Sequence, residues 1–517
     1  MKILISILAL LAATQAANAY KILIMVPLPG RSHFIVLEQL GLELAGRGHQ
    51  VDMVGHFPQK KPVPNYRDIS LDGTYLTITN NLSVDDTLNF ASFSMTNFSR
   101  MAGSNICDIM DTPQMQKLIK ETPKRKYDIV IVEVRRNKCQ TKESLSLKHP
   151  GSGCDCCASN KISFLLSIVP SVFSLYGQRM DFWQRMTNTI LSTVITLQLN
   201  YHMESQKEVV KRQLNIELDS ITDLYEDVSL VLVNSHHTLQ GVRPFTTGVV
   251  EVGGLHVVEK FDPLPSDVQK WLDEGKDGCI LFTFGSMVRI ETLPAHTVRD
   301  IYKVFEKIAP IRVLMKVAME KDLLPGLPSN VMIKPWFNQK AILKHKNIKA
   351  FITHGGLMST LEAVHFGVPL VGVPLFGDQH NNIKNYVNKK MAISLGNFGN
   401  VTEASLTDAL NAVLYQKEYR ENAKKLSQLF KDRPVSAMNT AIYWLEYVAR
   451  HGKILQSPAV HLNWMQRNLL DVYAFLLGSL LASLYILYRI VKRVLRMFCS
   501  KSCQMKHAKA TSSKKNK

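Results

Sequence analysis

At 517 residues, with 46% hydrophobic and 20% charged residues, the chain is too long for one ordinary core and too apolar for bulk disorder. A net charge of +19 suggests a nucleic-acid surface, but ten Lys or Arg and no acid lie between Arg489 and Lys517. About half of the excess therefore sits in one terminal tail, which removes the case for a nucleic-acid partner. Eight cysteines (Cys107, Cys139, Cys154, Cys156, Cys157, Cys279, Cys499 and Cys503) are too few for a disulfide scaffold.

The first element is a signal peptide at 1–19: Lys2, the apolar run Ile3–Ala13, then Ala17-Asn18-Ala19 as a cleavage site. Tyr20–Val26 follows as a buried strand ending in Pro27-Leu28-Pro29-Gly30. Phe34, Leu37, Leu40 and Leu44 recur at helical spacing, Gly48 closes the helix, and Gln50–Val54 is a second strand. Further apolar runs lie at Asp128–Val134 and Ser229–Val233.

A second α/β pattern begins after Gly253-Gly254. Its strands are Cys279–Phe284, Ile311–Val317, Ile348–Thr353 and Val368–Val373, with a helix marked by Val298, Ile301, Phe305 and Ile308. Alternating strands and helices predict two doubly wound α/β domains, at 20–245 and 246–440, facing each other across a cleft. An amphipathic return segment is expected at 441–467.

A spanning helix is expected at 468–489, where Leu469–Tyr488 carries one charge, Asp471. Twenty residues at about 1.5 Å each cross a hydrocarbon core of roughly 30 Å. Tyr473, Tyr485 and Tyr488 stand near its ends. The run opening with Arg489, Lys492, Arg493 and Arg496 belongs in the cytosol by the positive-inside rule, so 490–517 is a cytosolic tail. Lys514-Lys515-Asn516-Lys517 resembles a dilysine retrieval signal. These features describe a single-pass type I protein of the endoplasmic reticulum membrane with a lumenal body. Sequons at Asn81, Asn97 and Asn400 are compatible with that placement.

The densest chemical signal runs from Trp336 to Gln379. In doubly wound sheets ligands bind beyond the carboxyl ends of the strands. Each polar group here follows an apolar run: Gly285-Ser286, Trp336-Phe337-Asn338-Gln339, Thr353-His354-Gly355-Gly356 and Asp378-Gln379. Ser359, Glu362 and His365 lie on the helix after the glycines. Glycines at a strand-to-helix turn admit an anion, and the helix dipole favours it. Such a pattern resembles a nucleotide-sugar site: His354 can donate to a phosphate oxygen, Trp336 offers a flat face for a uracil ring, and Glu362 is an acceptor for ribose hydroxyls. Neither a Walker loop nor a G-x-G-x-x-G run is present, so NTPase and dinucleotide readings lack their fingerprint.

These segments, W-F-N-Q, F-I-T-H-G-G and S-T-L-E-A-V-H-F-G-V-P-L-V-G-V-P-L-F-G-D-Q, resemble the UDP-glycosyltransferase signature, closest to the insect branch. The resemblance implies a GT-B fold, α/β with two Rossmann-like domains, and a UDP-sugar as co-substrate, with UDP-glucose the expected donor. It implies no cofactor and no metal. Trp336, Gln339 and Glu362 would hold the nucleoside. Gly285, Ser286, His354, Gly356 and Ser359 would surround the diphosphate, and Asp378 and Gln379 would hold the sugar. Many relatives have Asn where this chain has Met358. The implied acceptor is a small lipophilic alcohol or phenol, and homo- or hetero-oligomers are compatible with the family.

His33, after the first strand, occupies the position of the family's catalytic base. An imidazole titrates near neutrality and suits that task, although helix capping is the plainer use of a polar residue there. Relatives place a carboxylate after the strand corresponding to Tyr127–Val134, typically Asp just before a cysteine. Here Lys138 precedes Cys139, and Glu133 is the candidate substitute. The stretch 139–168 is anomalous: Lys142–Asn160 is polar and basic and shows no strand or helix pattern. Its Cys154-Asp155-Cys156-Cys157 cluster lacks a convincing zinc-type pair or His set. A UDP-sugar-binding protein without turnover is the alternative function, favoured by Lys138 and opposed by His33 and the intact donor block.

Overall fold

The computed structural model describes residues 19–91, 107–133, 144–148, 166–171, 174–259 and 261–513. The signal peptide, Lys138, the Asn97 sequon, the Cys154–Cys157 cluster and the terminal lysines lie outside these.

The first sheet contains β1 (Lys21–Met25), β2 (Gln50–Gly55), β3 (Tyr66–Ser70), β4 (Ile129–Glu133), β5 (Ser144–Lys148), β6 (Val231–Val233) and β7 (Val249–Glu251), in the order β3-β2-β1-β4-β5-β6-β7. All its pairings are parallel. β1 and β2 are buried beyond their first residue because both faces are covered, which is why they read as continuous apolar runs. Helix α1 (Arg31–Gly46) packs Phe34, Leu37, Leu40 and Leu44 on this sheet, and a longer helix, α2 (Phe182–Met203), follows later in the chain.

β5 corrects the expectation that Lys142–Asn160 holds no regular element. Ser144–Lys148 pairs with β4 on one side and β6 on the other. Its S-L-S-L-K alternation is too short and too polar to signal a central strand. The slot between two parallel neighbours, which need their hydrogen bonds satisfied, selects it.

The second sheet contains β8 (Cys279–Thr283), β9 (Arg312–Lys316), β10 (Val331–Lys334), β11 (Ile348–Thr353), β12 (Leu370–Gly372) and β13 (Ala392–Ser394). Its order is β10-β9-β8-β11-β12-β13, again all parallel. Helices α3 (Ala295–Lys307), α4 (Gln339–Lys344), α5 (Leu357–Phe366) and α6 (Gln379–Asn388) belong to this half. Apolar clusters cover both faces of the sheet. The chain then returns: α7 (Ala437–His451) buries Ala441, Ile442, Leu445 and Val448 in the first half's core beside Ile22 and Leu40. Glu446 of α7 meets His49 at 3.2 Å.

The halves are also joined by the segment after β3. Ile78 N–H donates to Pro29 at 2.7 Å, Asn80 N–H to the Ser286 carbonyl at 2.8 Å, and Leu82 N–H to Met287 at 3.1 Å. One short run of backbone thus links the loop before α1 to the loop after β8. Residues Met1–Ser457 form one compact unit and Pro458–Lys517 another.

The second unit is dominated by α8 (Leu470–Ser513), of which Leu470–Met497 is long and apolar enough to cross a membrane. The helix continues past the expected end of the span. Arg489 donates to Tyr485 Oη at 2.9 Å and Lys492 to Tyr488 Oη at 3.2 Å, one turn back in each case. Long cationic stems that reach to an aromatic hydroxyl let a helix run through the interface without a break.

Candidate active site

Both sheets reverse strand order at one place, between β1 and β4 in the first and between β8 and β11 in the second. At such a switch point the crossover helices leave in opposite directions and open a crevice. His33 follows β1 and Glu133 ends β4; Gly285 and Ser286 follow β8, and His354 to Ser359 follow β11.

His33 is the third residue of α1, whose N-cap is Gly30 with no side-chain cap. The helix-capping reading is therefore replaced by another contact: His33 Nδ1 lies 2.7 Å from Glu133 Oε1. Both side chains are largely buried, at 14% and 6% exposure. An ionised carboxylate only accepts, so toward an ionised Glu133 it is Nδ1–H that donates, and in the neutral ring that tautomer leaves the lone pair on Nε2.

On the donor side Trp336 is half exposed, with Lys316 Nζ 5.4 Å above its ring. Gln339 opens α4, where Asn338 caps the helix by accepting from Ala341 N–H. Gln339 Nε2 donates to Glu362 Oε2 at 2.6 Å, and the other carboxylate oxygen lies 3.4 Å from His256 Nε2. The carboxylate is thus fixed from two sides. His256 is fully buried and its Nε2 also lies 3.4 Å from the Met358 carbonyl. Met358 itself accepts at sulfur from the buried Asn234, a contact reaching back into the first half. His365 points elsewhere, to Glu259 at 2.9 Å.

His354 sits between two glycines. A Cβ on Gly285 would lie 2.6 Å from His354 Cε1, and one on Gly356 2.6 Å from Nε2. Gly285 and Gly355 also hold φ values of +75° and +84°. The glycines of this turn are needed first to seat the imidazole, a requirement the sequence reading assigned to an anion alone. Burial, aided by the nearby Lys316 ammonium, lowers His354 to about 3, so the ring is neutral at physiological pH. Its Nδ1 and Ser286 Oγ are buried and have no hydrogen-bond partner among the described residues. Buried polar atoms left without a protein partner require another, and here two of them flank the N-terminus of α5, whose first amides are also uncommitted within the helix. Ser359 lies in that first turn and is buried.

Asp378 accepts from Asn382 at 2.7 Å. Gln379 spends its amide oxygen on the backbone N–H groups of Leu375 and Phe376, at 2.8 and 3.0 Å, which leaves its Nε2 to donate.

Two residues escaped the sequence reading. Lys316, the last of β9, is 7% exposed and donates to the Gly285 carbonyl at 2.5 Å. Burial lowers it to about 8, against the opposing pull of Glu291. A lysine ending an apolar strand in V-L-M-K was the available signal. His256 follows the Gly253-Gly254 turn and carried no signal of its own.

Two parallel sheets, with the His33–Glu133 pair at one switch point and the glycine turn around His354 at the other, have the GT-B architecture. The comparisons agree. The family model "UDP-glucoronosyl and UDP-glucosyl transferase" matches residues 79–505. UDP-glucosyltransferase 2 of Dactylopius coccus is 35% identical over 512 residues, covering 96% of this chain and 97% of that protein. The 2-hydroxyacylsphingosine 1-beta-galactosyltransferase of Rattus norvegicus is 29% identical, covering 95% and 92%. Among solved structures, UDP-glucose: anthocyanidin 3-O-glucosyltransferase in complex with UDP superposes with a TM-score of 0.53 at 17% identity, covering 84% of this chain and all of that one. The chain belongs to the UDP-glucuronosyl and UDP-glucosyl transferase family. It is an enzyme, a UDP-glycosyltransferase that draws on a UDP-sugar donor.

Proposed function

We propose that the enzyme transfers glucose from UDP-glucose to the hydroxyl group of a small lipophilic acceptor by one inverting displacement. The observation that carries this reading is the His33–Glu133 contact at 2.7 Å through Nδ1, which in the neutral ring gives Nε2 the lone pair. Nε2 takes the acceptor proton as its oxygen attacks the anomeric carbon, and the imidazolium that forms is stabilised by the Glu133 carboxylate. The sugar–phosphate bond breaks, and UDP leaves with the electron pair. Charge building on the diphosphate is met by the His354 ring, Ser286 Oγ, the amides at Gly356 and Ser359, and the Lys316 ammonium. Trp336 stacks on uracil; Gln339 and Glu362 hold the nucleoside; Asp378 and Gln379 hold the sugar. The scheme draws on no metal ion. Glucose is favoured by the naming of the Dactylopius relative as a glucosyltransferase, and a lipophilic acceptor by the sphingolipid named for the rat relative. The apolar Leu470–Met497 helix and the basic tail support a type I placement in the endoplasmic reticulum membrane with the body lumenal; conjugation of lipophilic acceptors would suit a detoxifying role.

UDP release from UDP-glucose and from UDP-glucuronate, with a panel of phenols and full-length chain in microsomes, tests this. Turnover with UDP-glucose that Glu133→Gln reduces roughly 100-fold supports the base–carboxylate pair. UDP binding without turnover in the parent would reject the catalytic reading.

A further inference from the structure

The run after β3 carries two polar side chains that the fold leaves unpaired. Its backbone is seated on both halves. Ile78 N–H is tied to Pro29 in the loop before α1, and Asn80 N–H to the Ser286 carbonyl in the loop after β8. Leu82 then bridges Val288 in parallel. Val84 is buried in the second half's core, and its N–H donates to Thr292 Oγ1 at 2.9 Å. Thr79 and Asn80 therefore lie between the loop that leads to His33 and the loop that carries Ser286. Residues of the first half are held at the strand ends of the second.

Asn80 adopts φ +53°, a left-handed conformation that Asn tolerates better than most side chains. Its Nδ2 faces the carbonyl of Pro335, the residue before Trp336, at 3.4 Å. A carbonyl only accepts, so the amide nitrogen belongs on that side and Oδ1 on the other. Oδ1 and the Thr79 hydroxyl are covered, yet neither has a hydrogen-bond partner among the described residues. Ser286 Oγ, beside the carbonyl that Asn80 engages, and His354 Nδ1, whose ring packs on Gly285, are unpaired in the same way. Covered polar atoms of this kind call for partners, and here they come from both halves.

We infer that Thr79 and Asn80 are donor-binding residues supplied by the first half, and that Asn80 Oδ1 accepts a hydrogen bond from the UDP-sugar. This rests on the reading of Ser286 and Trp336 as donor contacts. An amide oxygen cannot pair with a phosphate oxygen, since both accept. Its partner is therefore a hydroxyl or imide hydrogen on the uridine or on the hexose. Asn80 thus reads a part of the donor that the turn around His354, suited to an anion, does not. The Thr79 hydroxyl, able to donate and to accept, serves beside it. A donor lacking the matching hydrogen leaves Oδ1 unpaired, which gives this position a say in donor choice.

The test uses the full-length chain in detergent micelles, with KM and kcat for UDP-glucose from UDP release and UDP affinity from calorimetry. Asn80→Gly removes the amide and accepts the left-handed backbone without strain. It should raise KM for UDP-glucose about tenfold, the loss of one hydrogen bond with its partner left unpaired. The kcat and the melting temperature of the unliganded protein should hold. Thr79→Val, close to isosteric, should raise KM in the same direction. UDP affinity weakened in parallel places the recognised hydrogen on the uridine; UDP affinity unchanged places it on the hexose. Trp336→Ala serves as the control for the site itself and should weaken UDP about tenfold through lost stacking. Weak UDP binding in Trp336→Ala, with KM and UDP affinity unmoved in Asn80→Gly, overturns the inference and leaves the donor site standing. UDP affinity unmoved in Trp336→Ala overturns both. A lowered melting temperature in Asn80→Gly, with kcat falling alongside, makes Asn80 a strut of the fold and also overturns the inference.

Discussion

The proposed donor site of the second half draws most of its polar groups from one stretch, Trp336 to Gln379, whereas the proposed catalytic pair of the first half joins residues a hundred positions apart. The donor groups stand at successive strand ends of one sheet, so each apolar run announces the residue after it. His33 and Glu133 stand at the ends of β1 and β4, neighbours in space because the chain crosses over between them. The first arrangement offers many modest contacts to a ligand; the second rests on a single hydrogen bond. A nucleotide offers many groups to hold, while proton transfer needs one group at one distance.

The sharpest way to separate the halves is His33→Ala. It should lower kcat by roughly 10²–10⁴-fold and leave UDP affinity unchanged, read by turnover and by calorimetry on one preparation. Equal losses in both would show that the halves are not energetically distinct. Gly356→Ala attacks the donor half instead. Its Cβ would lie 2.6 Å from His354 Nε2. The ring must move, so about 1–3 kcal/mol of stability and much of the UDP affinity should go, measured by thermal unfolding with and without UDP.

Lys316 gives the donor half a pH dependence. Its ammonium is present below about 8 and neutralised above it. A charge lost on the protein weakens attraction to a diphosphate, so KM for the UDP-sugar should rise as pH increases through that value. Bound diphosphate opposes this by favouring the charged form. Lys316→Met should remove the dependence and raise KM about tenfold, the loss of one charge-assisted contact. A pH profile that survives the substitution would assign the effect to another group. The smallest effect is expected from His256→Phe, which releases one side of Glu362. KM for the UDP-sugar should rise about fivefold with kcat little altered. A drop in kcat alone would place His256 outside donor binding.

Much of this was legible in the residues. KILIM, CILFT and IKAFIT read as strands because parallel strands covered on both faces must be apolar throughout. Ser144–Lys148 did not, because what makes it a strand is the pair of neighbours on either side. Glu133 was legible as the candidate carboxylate at the end of its run, but nothing local to it fixes its distance to His33. The 2.7 Å contact with His33 supplies the physical reason to prefer it.

By itself the sequence determined the α/β class, the family and the apolar span, and marked the polar residues that stand after the strands of the second sheet. Each follows from local periodicity or from a residue set at a strand end, and neither requires knowing what lies opposite. Only the tertiary structure decided the rest. It brought His33 to Glu133, seated His354 between Gly285 and Gly356, buried Lys316 until its proton loosened, and set His256 behind Glu362. These properties belong to pairs of distant residues, and burial and distance come into being only when the sheets are assembled.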